Sequence, residues 1–184
     1  MKSSYLFLAE GFEEIEALAV VDVMRRAGME LSTVSVTDNL KVKGAHGIEV
    51  VADTTIAAID TTDTEWLICP GGMPGATNLA ACAKLTDAII EQWKKEGNIA
   101  AICASPAVVL APLGVLNGCE ATCYPSFEGG LEAGGATPVN ERVVVSDNII
   151  TANGPSSAVL FGLAIVAKSL GQPAATSVAS GMLL

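Results

Sequence analysis

The sequence predicts an α/β fold, a mostly parallel sheet with helices on both faces. Three observations carry this expectation. Short apolar runs of strand length alternate with helical patterns, glycine or proline punctuates the joints, and hydrophobic residues, 51% of the 184, are spread along the whole chain. A chain of this length builds one core of ordinary size and is too short for two enzymatic domains, so residues 1–184 are read as a single domain.

Tyr5 to Ala9 is an apolar run suited to a buried parallel strand; Gly11 then turns the chain into a helical pattern from Glu13 to Ala27, closed by Gly28. Leu31 to Val36 reads as the second strand. Ile48 to Val51 is a short extended piece after the Gly44 to Gly47 turn, and Trp66 to Cys69 is a buried strand that runs into the loop Pro70-Gly71-Gly72-Met73-Pro74-Gly75. From Lys84 to Glu96, Leu85, Ala88, Ile89 and Trp93 recur at helical spacing, Lys94 and Lys95 suit the negative end of the helix dipole, and Gly97-Asn98 stops the helix. Ile99 to Ile102 is the next strand. Ser105-Pro106 opens a helix, with the serine side chain as its expected cap and proline at its first position, and Cys103 lies at that join. Val143 to Val145 and Ile149 to Thr151 flank Ser146-Asp147-Asn148 as a hairpin, and Ser156 to Leu170 is an apolar helix entered after Asn153-Gly154-Pro155. Sheets of this kind carry their sites at the carboxyl ends of the strands.

Composition removes several function classes. Twenty acidic residues against ten basic ones give a net charge of −10, so no global field attracts phosphate backbones or anionic lipid, and a chain with 4% aromatic residues has no interleaved basic and aromatic stripe for single-stranded nucleic acid. Nucleic acid is excluded as a partner. The run from Gly97 to Cys119 carries no charge, but Asn98, Ser105, Pro106, Pro112 and Asn117 interrupt it, so it reads as buried strand, turn and helix, and no membrane partner is expected. The apolar stretch after Lys2 ends at Glu10, too early for a secretory signal, which makes the cytoplasm the expected location. Cys69, Cys82, Cys103, Cys119 and Cys123 are odd in number and mostly set among apolar residues, as reduced thiols rather than a disulfide framework.

At 100° per residue, Glu14, Asp22, Arg25 and Arg26 fall on one side of the first helix, and Glu16 falls nearly opposite, among Ala19, Val20 and Val23. A core-facing carboxyl is desolvated, and its pKa is expected to rise; the plainer alternative is a buried glutamate bonded to backbone amides. Cys103 stands on a strand-turn-helix elbow, where a nucleophile is lifted above the sheet edge beside a helix N-terminus, a setting expected to lower its thiol pKa. For the other four cysteines simple burial is the better reading. The Gly71-Gly72 turn is neither a dinucleotide nor a Walker motif; it lets backbone amides converge on an oxyanion, with the Ala104 amide as a second donor. The single histidine, His46, makes a histidine-based metal site improbable, and Cys119 and Cys123 lack a second pair of ligands for zinc, so neither metal nor cofactor is expected.

Together Glu10-Gly11-Phe12-Glu13-Glu14-Ile15-Glu16, Val21 to Gly28, Pro70-Gly71-Gly72, Ala100-Ala101-Ile102-Cys103-Ala104-Ser105-Pro106 and Asn153-Gly154-Pro155 resemble the ThiJ/PfpI superfamily, and most closely its DJ-one branch, over nearly the whole chain. The resemblance implies a flavodoxin-like three-layer sandwich, usually a homodimer. Cys103 matches the family's nucleophilic elbow cysteine, Glu16 the carboxyl that bonds it, and Gly72 and Ala104 the oxyanion-binding amides. The chain departs from the family in two ways. Ala104 follows Cys103 where the intracellular proteases have histidine, and Tyr124 occupies a place near the nucleophile where histidine is common; a phenol is a poor base at neutral pH. The segment around His46 often lies near the dimer interface in relatives, which implies an approach of His46 to the partner's Cys103.

These readings converge on a cysteine-dependent enzyme of glyoxalase or deglycase type, acting without cofactor on methylglyoxal-like aldehydes or early glycation adducts. The alternatives are an oxidative-stress sensor or chaperone using the same thiol, and a cysteine hydrolase, which Tyr124 disfavours.

Overall fold

The computed structural model describes residues 2–184. In chain order its strands and helices are β1 (Ser3–Leu8), α1 (Glu14–Arg26), β2 (Leu31–Ser35), β3 (Lys41–Lys43), β4 (Glu49–Val51), β5 (Thr54–Thr55), β6 (Thr64–Cys69), α2 (Gly75–Ala80), α3 (Ala83–Lys94), β7 (Asn98–Ile102), β8 (Glu120–Ala121), α4 (Glu128–Ala133), β9 (Thr137–Pro138), β10 (Val143–Ser146), β11 (Ile149–Ala152), α5 (Ala158–Leu170) and α6 (Gln172–Gly181). Seven strands form one sheet in the order β10-β11-β7-β6-β1-β2-β5, parallel throughout except for the β10–β11 hairpin. The predicted flavodoxin-like α/β sandwich is the fold found.

Alternation along the central strands builds two cores. Leu6, Leu8, Trp66, Ile68, Ala100, Ile102 and Ile150 pack with α1, α5 and α6, whereas Phe7, Leu67, Cys69, Ile99 and Ala101 pack with α3, α4 and the helical segment after β7. On the first face α1 and α5 approach closely, because α5 presents Gly162 to Val23: a Cβ there would lie 3.0 Å from the valine Cβ. Trp66 is fully buried and donates its indole N–H to Ser169 Oγ at 2.7 Å, which satisfies the one polar atom of the largest core side chain.

The expected elements recur with small shifts at their ends, and several are new. Residues 75–80 form α2 although five of residues 70–75 are glycine or proline. The helix expected from Ser105-Pro106 is instead a wide π turn over Pro106–Leu110 followed by a 3-10 turn over Ala111–Leu113, stopped by Gly114 at φ 75°. Among the described residues no helix is long and apolar enough to cross a membrane, and the uncharged Gly97–Cys119 run is divided between β7 and these turns.

Candidate active site

The chain leaves β1 toward β2 on one side and leaves β6 toward β7 on the other, so the order reverses between β1 and β6. Such a switch point opens a crevice at the carboxyl ends of the strands. Three joints meet there: residues 9–13 after β1, 70–74 after β6, and 103–105 after β7.

The first two joints interlock through their backbones. Glu13 N donates to Gly71 O at 2.9 Å and Gly75 N to Gly11 O at 3.2 Å. Gly72 has φ 88°, and a Cβ on it would fall 2.4 Å from Glu13 N and 2.5 Å from Gly11 O, so no larger residue fits. Gly71 lies deeper, and its amide donates to Glu16 Oε2 at 2.8 Å.

Glu16, on the first turn of α1, is fully buried, as its position on the helix predicts. Glu16 Oε1 has no well-aligned hydrogen-bond partner, and the thiol of Cys103 is the polar group beside the carboxyl. Burial pushes Glu16 up to about 7, against the opposing effects of its bonds to Cys103 and the Gly71 amide.

Cys103 has φ 66°, the strained left-handed backbone of a nucleophile elbow. Its amide donates to Ala152 O at 2.9 Å and its carbonyl accepts from Tyr124 N at 2.8 Å, which holds the turn from both sides. The elbow was expected to lower the thiol pKa, and the structure reverses this. Burial first, then the charge on Glu16 and the bond to it, push the Cys103 thiol up to about 12, while the Gly72 and Ala104 amides act in the opposite direction without prevailing. The irregular turns after Pro106 also give less aligned dipole than a regular helix. Glu16 and Cys103 form a coupled pair that keeps one proton between them above neutral pH. Thiolate forms when that proton rests on the carboxyl.

Ser105 is also corrected. It makes no side-chain cap; its hydroxyl is buried and donates to Pro70 O at 2.6 Å, tying the elbow to the residue that precedes the Gly71-Gly72 turn. Glu14, placed with the outward side of α1, is instead buried under the Gly44–Ile48 segment. It accepts from His46 N at 2.8 Å and pairs with His46 Nδ1 at 2.9 Å. Burial raises Glu14, but the His46 bond and the backbone amides outweigh it and hold the carboxyl below its ordinary range; the same bond raises His46.

Above Cys103 a pocket of about 450 Å³ is lined by Glu13, Ile15, His46, Gly72, Met73, Ala104, Tyr124, Phe127 and Pro155. His46 and Tyr124 were singled out from the sequence and both line it, so His46 reaches the pocket of its own chain. The Tyr124 ring meets Phe127 edge-on, with centroids 6.5 Å apart. Glu13, Ile15, Met73, Phe127 and Pro155 were not singled out as site residues, although Glu13, Ile15 and Pro155 lie within the motifs that carry the family resemblance. Glu13, Glu14 and His46 bring three possible metal-ligand atoms within 4.8 Å of one another, but Glu14 is already committed to the imidazole and to backbone amides, which accounts for the cluster as an ion pair.

Residues 2–168 match the DJ-1/PfpI family. The chain belongs to that family. Its DJ-1/PfpI relatives include protein dj-1beta of Drosophila melanogaster, 34% identical over the whole of this chain and 97% of that protein. Glutathione-independent glyoxalase DJR-1.2 of Caenorhabditis elegans is 34% identical over 90% of this chain and 87% of its own length. Protein DJ-1 homolog A of Arabidopsis thaliana is 35% identical, and this chain spans 47% of it, about half its length. Among solved DJ-1/PfpI structures, oxidized DJ-1 of Toxoplasma gondii superposes with a TM-score of 0.94 at 37% identity, covering all of this chain and 98% of that one.

Proposed function

We propose that this DJ-1/PfpI protein is a cysteine-dependent enzyme that acts without cofactor on small carbonyl compounds, in the glyoxalase or deglycase manner. The observation that carries the reading is the buried pair of Glu16 and Cys103 at the floor of a largely apolar pocket, with the Gly72 and Ala104 amides directed at the sulfur. The name of the nematode relative supports the same class of reaction.

The geometry suits a 2-oxoaldehyde. The Cys103 sulfur adds to the aldehyde carbon as its proton passes to the Glu16 carboxylate, and the resulting oxyanion takes the two amide donors. Glu16 returns that proton to the oxyanion, and the freed carboxylate, with a pKa of about 7, takes the hydrogen of that carbon as a proton and delivers it to the adjacent carbon, while the hydroxyl proton passes to the neighbouring carbonyl oxygen. The product is a hydroxyacyl thioester, which one water hydrolyses to the hydroxy acid and free thiol. No electron leaves or enters. Hydroxy-acid formation from methylglyoxal should fall by at least about 100-fold in Cys103→Ser and in Glu16→Gln; equal rates in all three proteins would discard the mechanism. If peroxide adds oxygen selectively at Cys103 and no carbonyl turnover is found, the sensor reading replaces it.

We read the enzyme as cytoplasmic, a reading that its five free cysteines support, and as a homodimer. Ile15 and Leu18 on α1, Ile48 just before β4 and Val51 at its end are exposed, at 58%, 39%, 54% and 63%, and make an apolar set on the two segments that the Glu14–His46 contact joins. A second copy covering this set accounts for them. Sedimentation of Leu18→Glu/Ile48→Glu should show a monomer where the parent is a dimer; an unchanged mass would place any interface elsewhere.

A further inference from the structure

We propose that the mouth of the Cys103 pocket selects carbonyl compounds by charge. It favours a carbonyl compound whose tail carries an ammonium or guanidinium group and turns away carbonyl acids and phosphorylated aldehydes, with Glu13 as the determinant. The substrate class rests on the reading of Cys103 as the attacking nucleophile of a carbonyl enzyme.

Glu13 supplies a carboxylate to the pocket wall, and its side chain is only 12% exposed. The rings of Tyr124 and Phe127 contribute to the same wall. A carboxylate and aromatic side chains lining one largely apolar space are groups that can hold a cation. Among the described residues of this chain no lysine or arginine lines the pocket. The one basic group there, His46, lies 2.9 Å from Glu14 and 3.5 Å from Glu13, so a single positive charge at most faces two carboxylates. The floor adds further negative charge, because Glu16 and Cys103 keep a single proton between them above neutral pH. An anionic tail therefore meets net negative charge in a partly desolvated space, where salt screens poorly, and the overall charge of −10 opposes its approach from a distance.

The test uses two methanethiosulfonates that differ in the charge of the tail, one ending in trimethylammonium and one in sulfonate. The Cys103 sulfur attacks the sulfenyl sulfur, methanesulfinate leaves, and a mixed disulfide forms without any carbonyl turnover. Rates are measured at low ionic strength by intact mass, each divided by the rate with a small free thiol. The background is Cys82→Ser/Cys119→Ser, which removes the two partly exposed thiols. The cationic reagent should be favoured by about tenfold or more, and Glu13→Gln should remove most of that preference. The rate with the uncharged methyl reagent is measured in both proteins and divides each charged rate, because Glu13 also raises Glu16 and its removal alters the reactivity of the thiol itself. A charge ratio equal to that of the free thiol, or one that Glu13→Gln leaves unchanged, overturns the proposal. A parallel series of phenylglyoxals, unsubstituted, para-carboxylate and para-trimethylammonium, should turn over in the order cation, neutral, anion. If none turns over while the thiosulfonate ratio holds, the carbonyl reading fails and the charge selection stands.

Discussion

Glu16→Gln is expected to stabilise the fold above pH 7 while it silences the site. Glu16 titrates near 7 in the folded protein against an ordinary value of 4.5, so the native state holds this proton more tightly than the unfolded chain does. Below pH 4.5 both states are protonated and the burial of a neutral acid carries no ionisation cost. As pH rises from there toward 7 the unfolded chain ionises first and stability is lost. Above 7 the loss levels off at about 3 kcal/mol, from about 1.36 kcal/mol per pKa unit. Glutamine removes this dependence and retains an oxygen for the Gly71 amide. Denaturant melts at pH 4.5, 6 and 8 should therefore show the variant gaining on the parent as pH rises; parallel profiles would refute the assignment. The Cys103 thiol should change in the same variant, because the neighbouring charge that raises it is gone. Its alkylation should begin at lower pH even as hydroxy-acid formation collapses, which separates the making of thiolate from the movement of the substrate proton.

Gly71→Ala should abolish activity through shape alone. Its Cβ would stand 2.5 Å from Cys103 Cβ, 2.7 Å from Glu16 Oε2 and 3.0 Å from Cys103 Sγ, between the two members of the pair. The elbow cannot withdraw readily, because its backbone is bonded to Ala152 and Tyr124 and its next-but-one neighbour Ser105 to Pro70. A shift of a few tenths of an ångström in carboxyl or sulfur is expected to lower turnover at least about 100-fold, with an overpacking cost of about 1–3 kcal/mol in melts. Gly129→Ala, where an added Cβ meets nothing within 4 Å, is the control and should leave both unchanged. Turnover in Gly71→Ala within a few-fold of the parent would mean that the pair does not act as one unit.

Much of this was legible because it is local. The burial of Glu16 follows from helical angle, the strands from apolar runs, and the position of Cys103 from a strand that ends just before a serine and a proline. What escaped the sequence depends on contacts across the fold. Glu14 has the helical angle of an exposed residue and is buried because the segment before β4 folds over it. Ser105 has the spacing of a cap, but its hydroxyl finds the Pro70 carbonyl 35 residues away. The thiol lies higher than its elbow position predicts because burial, and after it the charge on Glu16, outweigh the Gly72 and Ala104 amides. The α2 helix was hidden by the glycines and prolines just before it, and the remaining pocket wall is assembled from loops.

The hydrogen bond from the Cys103 amide to Ala152 has a consequence for how the chain is made. β7 takes its place between β6 and β11, and β11 is synthesised about fifty residues after the elbow. A nascent polypeptide that already carries Glu16 and Cys103 lacks the partner that closes the turn at Cys103 until the last strand of the sheet has left the ribosome. The elbow therefore cannot be set before the sheet is complete, and the site is assembled in one late step.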